Sequence, residues 1–279
     1  MKQRIITGIV MAAVGIPVLW FSDYFVFPLM IALMCVIAVF EMLRVHGCHN
    51  RYVLAIPAYV LAAALPFGAY IWLHVLAYAV ADYIALLALA AVLYLLYMMF
   101  VAVLAQGQLS FADVAGIFTT SFYVIGAFSA AVLLRYMENG LYLIILALLG
   151  SWMCDISAYF VGTLIGKHKL VEKLSPKKTV EGSVGGILFS TLGCLLYGLI
   201  LHTWFEVTPN YLILAVCGIL LSVVSQIGDL FASLIKRERG VKDYGRIFPG
   251  HGGVMDRFDS ILAVALVLFA VCLFAPPIV

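Results

Sequence analysis

Between Ser225 and Ser260 the chain places Asp229, Asp243, Asp256 and Asp259 among the bases Lys236, Arg237, Lys242, Arg246 and Arg257. A glycine-rich turn, Pro249-Gly250-His251-Gly252-Gly253, lies in the same stretch, which begins inside one apolar run and ends at the threshold of another. Carboxylates beside a hydrocarbon boundary are costly, so such residues are functional by default. Acidic oxygens suit a hard divalent cation, and guanidinium and ammonium groups suit phosphate oxygens. Glycines let backbone come close to a ligand. Together these residues point to metal-assisted phosphoryl chemistry at a membrane surface.

The spacing shows how such groups are carried. Ser222, Ser225 and Gln226, Asp229, Ser233, then Lys236 and Arg237 recur at steps of three and four, which places them on one helix face. A polar seam between helices accounts for the serines and the glutamine. An aspartate followed two turns later by adjacent bases is better suited to a metal and phosphate. Asp256 and Asp259, with Arg257 between them, are three apart at the opening of the last apolar run. Acids there favour the helix dipole, while the preceding His251-Gly252-Gly253 turn makes the helix start an anion pocket. Asp229 and Asp256, from different helices, can converge on one cation. Upstream, Asp155, Tyr159 and Gly162 share a face, and Gly162 and Gly166 form a small-residue packing pair. The basic turn Ser175-Pro176-Lys177-Lys178-Thr179, followed by Glu181, Gly182 and Ser183, suits anionic headgroups and a bound phosphate equally well.

The elements that position these residues are membrane spans. The composition is 66% hydrophobic and 11% charged, against about 25% charged in soluble domains. The fold class expected is all-α, a polytopic integral membrane helical bundle of about nine transmembrane helices. The spans fall at 5–21, 25–43, 52–72, 76–104, 112–134, 141–165, 184–204, 211–235 and 259–276. Pro17 is expected to end or kink the first, and the fourth is long for an upright crossing. The tight connections at Ser22–Tyr24 and His74 are the weakest points of this count. Lys2 and Arg4 before an apolar run resemble a signal peptide, but without a convincing small-residue cleavage site a retained helix is expected.

With the N-terminus cytoplasmic, all of the 16 lysines and arginines except Arg135 fall on the cytoplasmic side, as the positive-inside bias requires. Loops 166–183 and 236–258 then face the cytoplasm, where nucleotides are available. Residues 1–135 are expected to form hydrophobic scaffold spans, and residues 136–279 the catalytic spans of one membrane domain. In the first half, Glu41 and Arg44 are spaced to pair on one helix face, and His46 and His49 lack further ligands for a metal site. The six cysteines lie mostly in apolar runs without CxxC spacing and are expected as small buried hydrophobes.

At these residues the chain resembles the phosphatidate cytidylyltransferases, or CDP-diacylglycerol synthases. Their signature is matched by Ser233, Lys236, Arg237, Lys242, Asp243, Pro249, His251, Gly252, Gly253, Asp256, Arg257 and Asp259. The Ser175–Gly182 stretch and the Asp155–Tyr159–Gly162 pattern extend the likeness over roughly the C-terminal half. The resemblance implies that CTP and phosphatidic acid give CDP-diacylglycerol and pyrophosphate in a homodimeric enzyme of the bacterial inner membrane. It also implies Mg2+, as one ion or a pair, with Mn2+ able to substitute. On that reading Asp229 and Asp256 bind metal, with Asp259 and Asp155 as additional carboxylates. Lys236, Arg237, Lys242 and Arg257 hold phosphates, Lys177, Lys178 and Thr179 close over them, and Ser233 and His251 position the substrates. The glycines Gly252 and Gly253 shape the turn. No nucleic-acid partner is implied. The rival from another class is an ion-coupled membrane transporter using Asp155 and Asp229. A CDP-alcohol phosphatidyltransferase is disfavoured because no DGxxAR sequence occurs.

Overall fold

The structure, a computed structural model, describes residues 2–278, and residues 2–5 by backbone alone. The side chains of Lys2 and Arg4, which enter the charge bias, lie outside the described residues, as does Val279. The helices are α1 (Lys2–Trp20), α2 (Val26–Val45), α3 (Tyr52–Tyr70), α4 (Val80–Leu104), α5 (Phe111–Arg135), α6 (Gly140–Ile165), α7 (Val180–Phe205), α8 (Tyr211–Glu238) and α9 (Met255–Phe274). Each expected span is therefore a helix. Counting α3 with the π turn Ile71–Val75 that continues it, eight are long and apolar enough to cross a bilayer, and the apolar part of α1, Ile6–Trp20, is shorter. α1 runs through Pro17 to Trp20.

Three boundaries differ by four residues from the hydropathy reading, for local reasons. The long fourth span is shortened because the π turn and a left-handed Ala77 (φ 54°) break the chain around His74. α4 then has 25 residues, roughly 37 Å of helix, which needs less tilt. α7 and α9 each start four residues earlier than the apolar signal, because their first turns are polar. Thr179 caps α7, its Oγ1 accepting from Gly182 N at 3.1 Å. The loop before α7 is a small antiparallel hairpin, β1 (Lys169–Val171) with β2 (Ser175–Thr179). It is the one pair of strands among the described residues.

The chain divides into two compact units, one of residues 1–136 with 239–257, the other of 137–238 with 258–279. In the first, α5 packs on α2, α3 and α4, burying Ile117, Val124, Phe128 and Leu134. α4 buries little beyond Tyr83, Tyr94 and Met98, and most of its other side chains are exposed or half-exposed, as expected of a helix with one face to lipid. In the second, α7 packs on α6 and α8 through a small-residue seam. A Cβ added to Gly182 would stand 2.6 Å from the Ala158 carbonyl, and one on Gly185 would meet Val161. The Gly162 face also closes on Thr179, so the packing role expected for these glycines holds. All six cysteines are buried and unbridged.

Arg135, the exception to the charge bias, is itself buried. Its Nε donates to Ser22 Oγ at 2.7 Å and its NH2 pairs with Asp23, while the Tyr136 hydroxyl donates to the Ser22 and Tyr24 carbonyls. The α1–α2 connection is thus tied to the end of α5. Arg135→Met strands the Ser22 hydroxyl and is expected to destabilise the protein by about 1–3 kcal/mol, read as a lower thermal midpoint in detergent. An unchanged midpoint would show the lock to be inconsequential.

Candidate active site

In the second unit, acids and bases from several elements come together. Lys178, on β2, forms an ion pair with Asp229 Oδ2 on α8. The neighbouring Lys177 is exposed. Asp155 on α6 lies within electrostatic range of Asp229 and Lys178. Asp259 on α9 lies within range of Asp229, Lys236 and Asp155. Two carboxylates close to Asp229 explain why a lysine is recruited there, since like charges in a weakly polar setting repel strongly. The Lys178 Nζ is buried and makes no aligned hydrogen bond, so it is held by charge alone.

The polar stripe on α8 divides into two parts. Its upper half is structural: Ser225 Oγ meets Ser151 Oγ at 3.3 Å, Ser183 Oγ donates to Gln226 Oε1 at 2.5 Å, and Gln226 Nε2 donates to the Ser183 carbonyl at 3.3 Å. Below it come Asp229, Ser233, Lys236 and Arg237, which are half-buried or exposed. α8 and α9 approach closely at this level, because Gly228 has no Cβ: one placed there would be 2.7 Å from the Asp259 carbonyl oxygen. Asp259 Oδ1 accepts from Ser260 N at 2.8 Å. The hydroxyl of Thr179, expected to touch substrate, is buried and occupied in capping α7. Glu181 braces the hairpin, accepting from the Lys167 and His168 amides at 3.1 and 3.2 Å.

In the first unit, the signature turn is folded around two carboxylates. Asp256 Oδ2 accepts from Tyr244 N at 2.7 Å, Gly253 N at 2.9 Å and Gly245 N at 3.4 Å. Glu41 Oε1 accepts from Val254 N at 3.1 Å and Oε2 from Met255 N at 2.9 Å. Gly250 and Gly252 supply left-handed backbone (φ 77° and 86°), and Phe248 N donates to Gly252 O at 2.9 Å across the turn. The amides that the sequence offers to a phosphate at the start of α9 are thus taken by carboxylates of the chain itself. Lys242, Asp243, Arg246 and Arg257 stay exposed around the turn, and His251 is half-buried.

Glu41 and Arg44 do not pair with each other as their spacing suggests. Each reaches the turn, Arg44 NH2 donating to the Tyr244 carbonyl. The sequence signal was present, an acid inside a strongly apolar run, but its partner lies far along the chain. Of the two expected metal ligands, Asp256 falls in the first unit and Asp229 in the second.

Among the described residues no three His, Cys, Asp or Glu side chains gather as a metal-ligand set. The donors present nonetheless fit Mg2+, which is commonly held by one or two carboxylates together with substrate phosphates rather than by an all-protein cage. Asp229 already holds a positive centre, the Lys178 ammonium, and all nearby acidic donors are oxygens.

Fold and site thus define a polytopic helical membrane protein that sets carboxylates beside lysines. A family model described as the cytidylyltransferase family matches residues 2–275, and the chain belongs to that family. It is 36% identical over 269 residues to a phosphatidate cytidylyltransferase of Staphylococcus epidermidis, covering 95% of this chain and 96% of that protein. A phosphatidate cytidylyltransferase of Bacillus subtilis is 34% identical over 278 residues, 96% of each chain. One of Staphylococcus saprophyticus is 41% identical over 162 residues, 58% of this chain and 60% of that one.

Proposed function

We propose that this protein joins CTP to phosphatidic acid within a membrane, releasing pyrophosphate and forming CDP-diacylglycerol. A phosphatidate oxygen attacks the α-phosphorus of CTP, and the bond from that phosphorus to the β-phosphate bridging oxygen breaks. Atoms and charge balance without a strong general base, because the attacking phosphate is already ionised. The obstacle is repulsion between two anions, so bringing them into line and neutralising them is most of the catalysis.

The observation that carries this reading is the meeting of Lys178, Asp229, Asp259 and Lys236 from β2, α8 and α9 in a member of this family. Lys236 and Arg237 close the last turn of α8, where cations suit the helix dipole, and hold phosphate oxygens from a rigid element. Lys178 exchanges Asp229 for a phosphate as substrate enters, and Lys177, Lys242 and Arg257 supply further charge. Ser233 and His251 orient the reactants. Asp229 and Asp256 are each proposed as a Mg2+ ligand, with Asp259 and Asp155 as additional carboxylates. When bound, the metal would neutralise charge on the transferring phosphoryl group. We also propose a homodimer in the bacterial inner membrane, with the N-terminus and both polar loops cytoplasmic.

Purified protein in detergent or vesicles should incorporate radiolabelled CTP into lipid, with dependence on added Mg2+ or Mn2+. Solute uptake without nucleotide turnover would instead favour transport through Asp155 and Asp229, for which the comparisons offer no support.

A further inference from the structure

We infer that α2 positions the signature turn for the reaction through Glu41, assisted by Arg44; the inference rests on the cytidylyltransferase reading of the preceding section. Glu41 is buried, only 2% exposed, near the C-terminal end of a strongly apolar helix, a costly place for a carboxylate without donors. Its donors are the backbone amides of Val254 and Met255, at the start of α9. It thus acts as a cap delivered from a distant part of the chain, placing a negative group where the helix dipole favours one.

The backbone around Glu41 is shaped to admit it. A Cβ on Gly245 or on Gly253 would run into the Glu41 carboxylate. Two signature-turn glycines therefore serve the acid on α2, in addition to any approach of substrate. The anchors are spread along the turn. Arg44 NH2 takes the Tyr244 carbonyl, and on α1 the Thr7 hydroxyl donates to the Pro249 carbonyl at 2.9 Å. Asp256 completes the arrangement from inside the turn, through Tyr244, Gly245 and Gly253. Glu41 touches no reacting atom in this scheme. It fixes the peptide units that carry Asp256 and Arg257, and so acts through them.

The test is Glu41→Gln, nearly isosteric, in the full-length enzyme, read by steady-state kinetics and by hydrogen–deuterium exchange. An amide side chain retains one acceptor oxygen and turns an N–H donor toward the other backbone amide. The expected result is a fall in kcat of about tenfold and a rise in KM for CTP of about threefold. Faster exchange should be confined to residues 244–256. A loss of folded enzyme alone would lower kcat, leave KM untouched and raise exchange everywhere. Wild-type kinetics with unchanged exchange in the turn overturns the inference, as does a kcat loss with unaltered KM and local exchange. If Glu41→Gln does not yield folded protein, Arg44→Met carries the test, with exchange expected to rise around residues 244–246 and unchanged exchange there counting against the proposal. If the wild-type protein turns over no CTP, the functional reading fails, while the exchange arm still decides whether α2 holds the turn.

Discussion

Asp229→Ala is expected to lower CDP-diacylglycerol formation by about 1,000-fold or more, with the helical fold retained. The size follows from what meets at Asp229. The residue is half-buried on α8, pairs with Lys178, and faces Asp155 and Asp259. Removing it deletes a proposed metal ligand and also releases Lys178, whose ammonium has no other partner among the described ion pairs. The hairpin lysine then loses its fixed position when nucleotide arrives. Stability should change less than activity, because the hydrogen bonds that hold α8 to its neighbours lie higher, at Ser225 and Gln226. The check is turnover of CTP with phosphatidate across a Mg2+ titration, beside a thermal melt of the same sample. Turnover within tenfold of wild type at saturating Mg2+ would remove Asp229 from the centre of the chemistry.

Asp256→Asn should reduce turnover at least about 100-fold while leaving the melt nearly unchanged. Asparagine keeps one carbonyl oxygen that can accept from Tyr244 N and Gly253 N, so the turn retains its main internal acceptor. What is lost is the negative charge proposed to bind Mg2+. Asp256→Ala differs, since it leaves the Tyr244, Gly245 and Gly253 amides without that acceptor, at about 1–3 kcal/mol for each buried group left unsatisfied. The pair separates two roles. An active Asn variant beside an inactive, destabilised Ala variant would make Asp256 an anchor of the turn and no ligand. Inactivity in both, with only the Ala variant destabilised, supports the ligand role.

Much of this was legible in the sequence because membrane helices announce themselves by length and hydropathy. The nine apolar runs all became helices, and the α8 stripe was visible because its period matches the helix. Where the reading erred, polar residues carried regular structure. Thr179 caps a helix whose polar first turn an apolar window cannot see, and Ser175–Thr179 formed a strand where a loop was expected. The pairing of Lys178 with Asp229 could not be read, because it joins segments 51 residues apart through tertiary packing. Glu41 was the largest omission. Its i+3 neighbour Arg44 offered a local partner, and only the folded chain shows both side chains directed at a turn some 200 residues downstream.

That separation bears on how the protein is made. Glu41 and Val254 are 213 positions apart, and ribosomes add about 5–20 residues per second. For roughly 10–40 s after α2 leaves the ribosome, its acid has none of its eventual amide donors. Until then water or a bound proton must satisfy that carboxylate. A product truncated before residue 254 never acquires those donors and keeps an unsatisfied acid on α2.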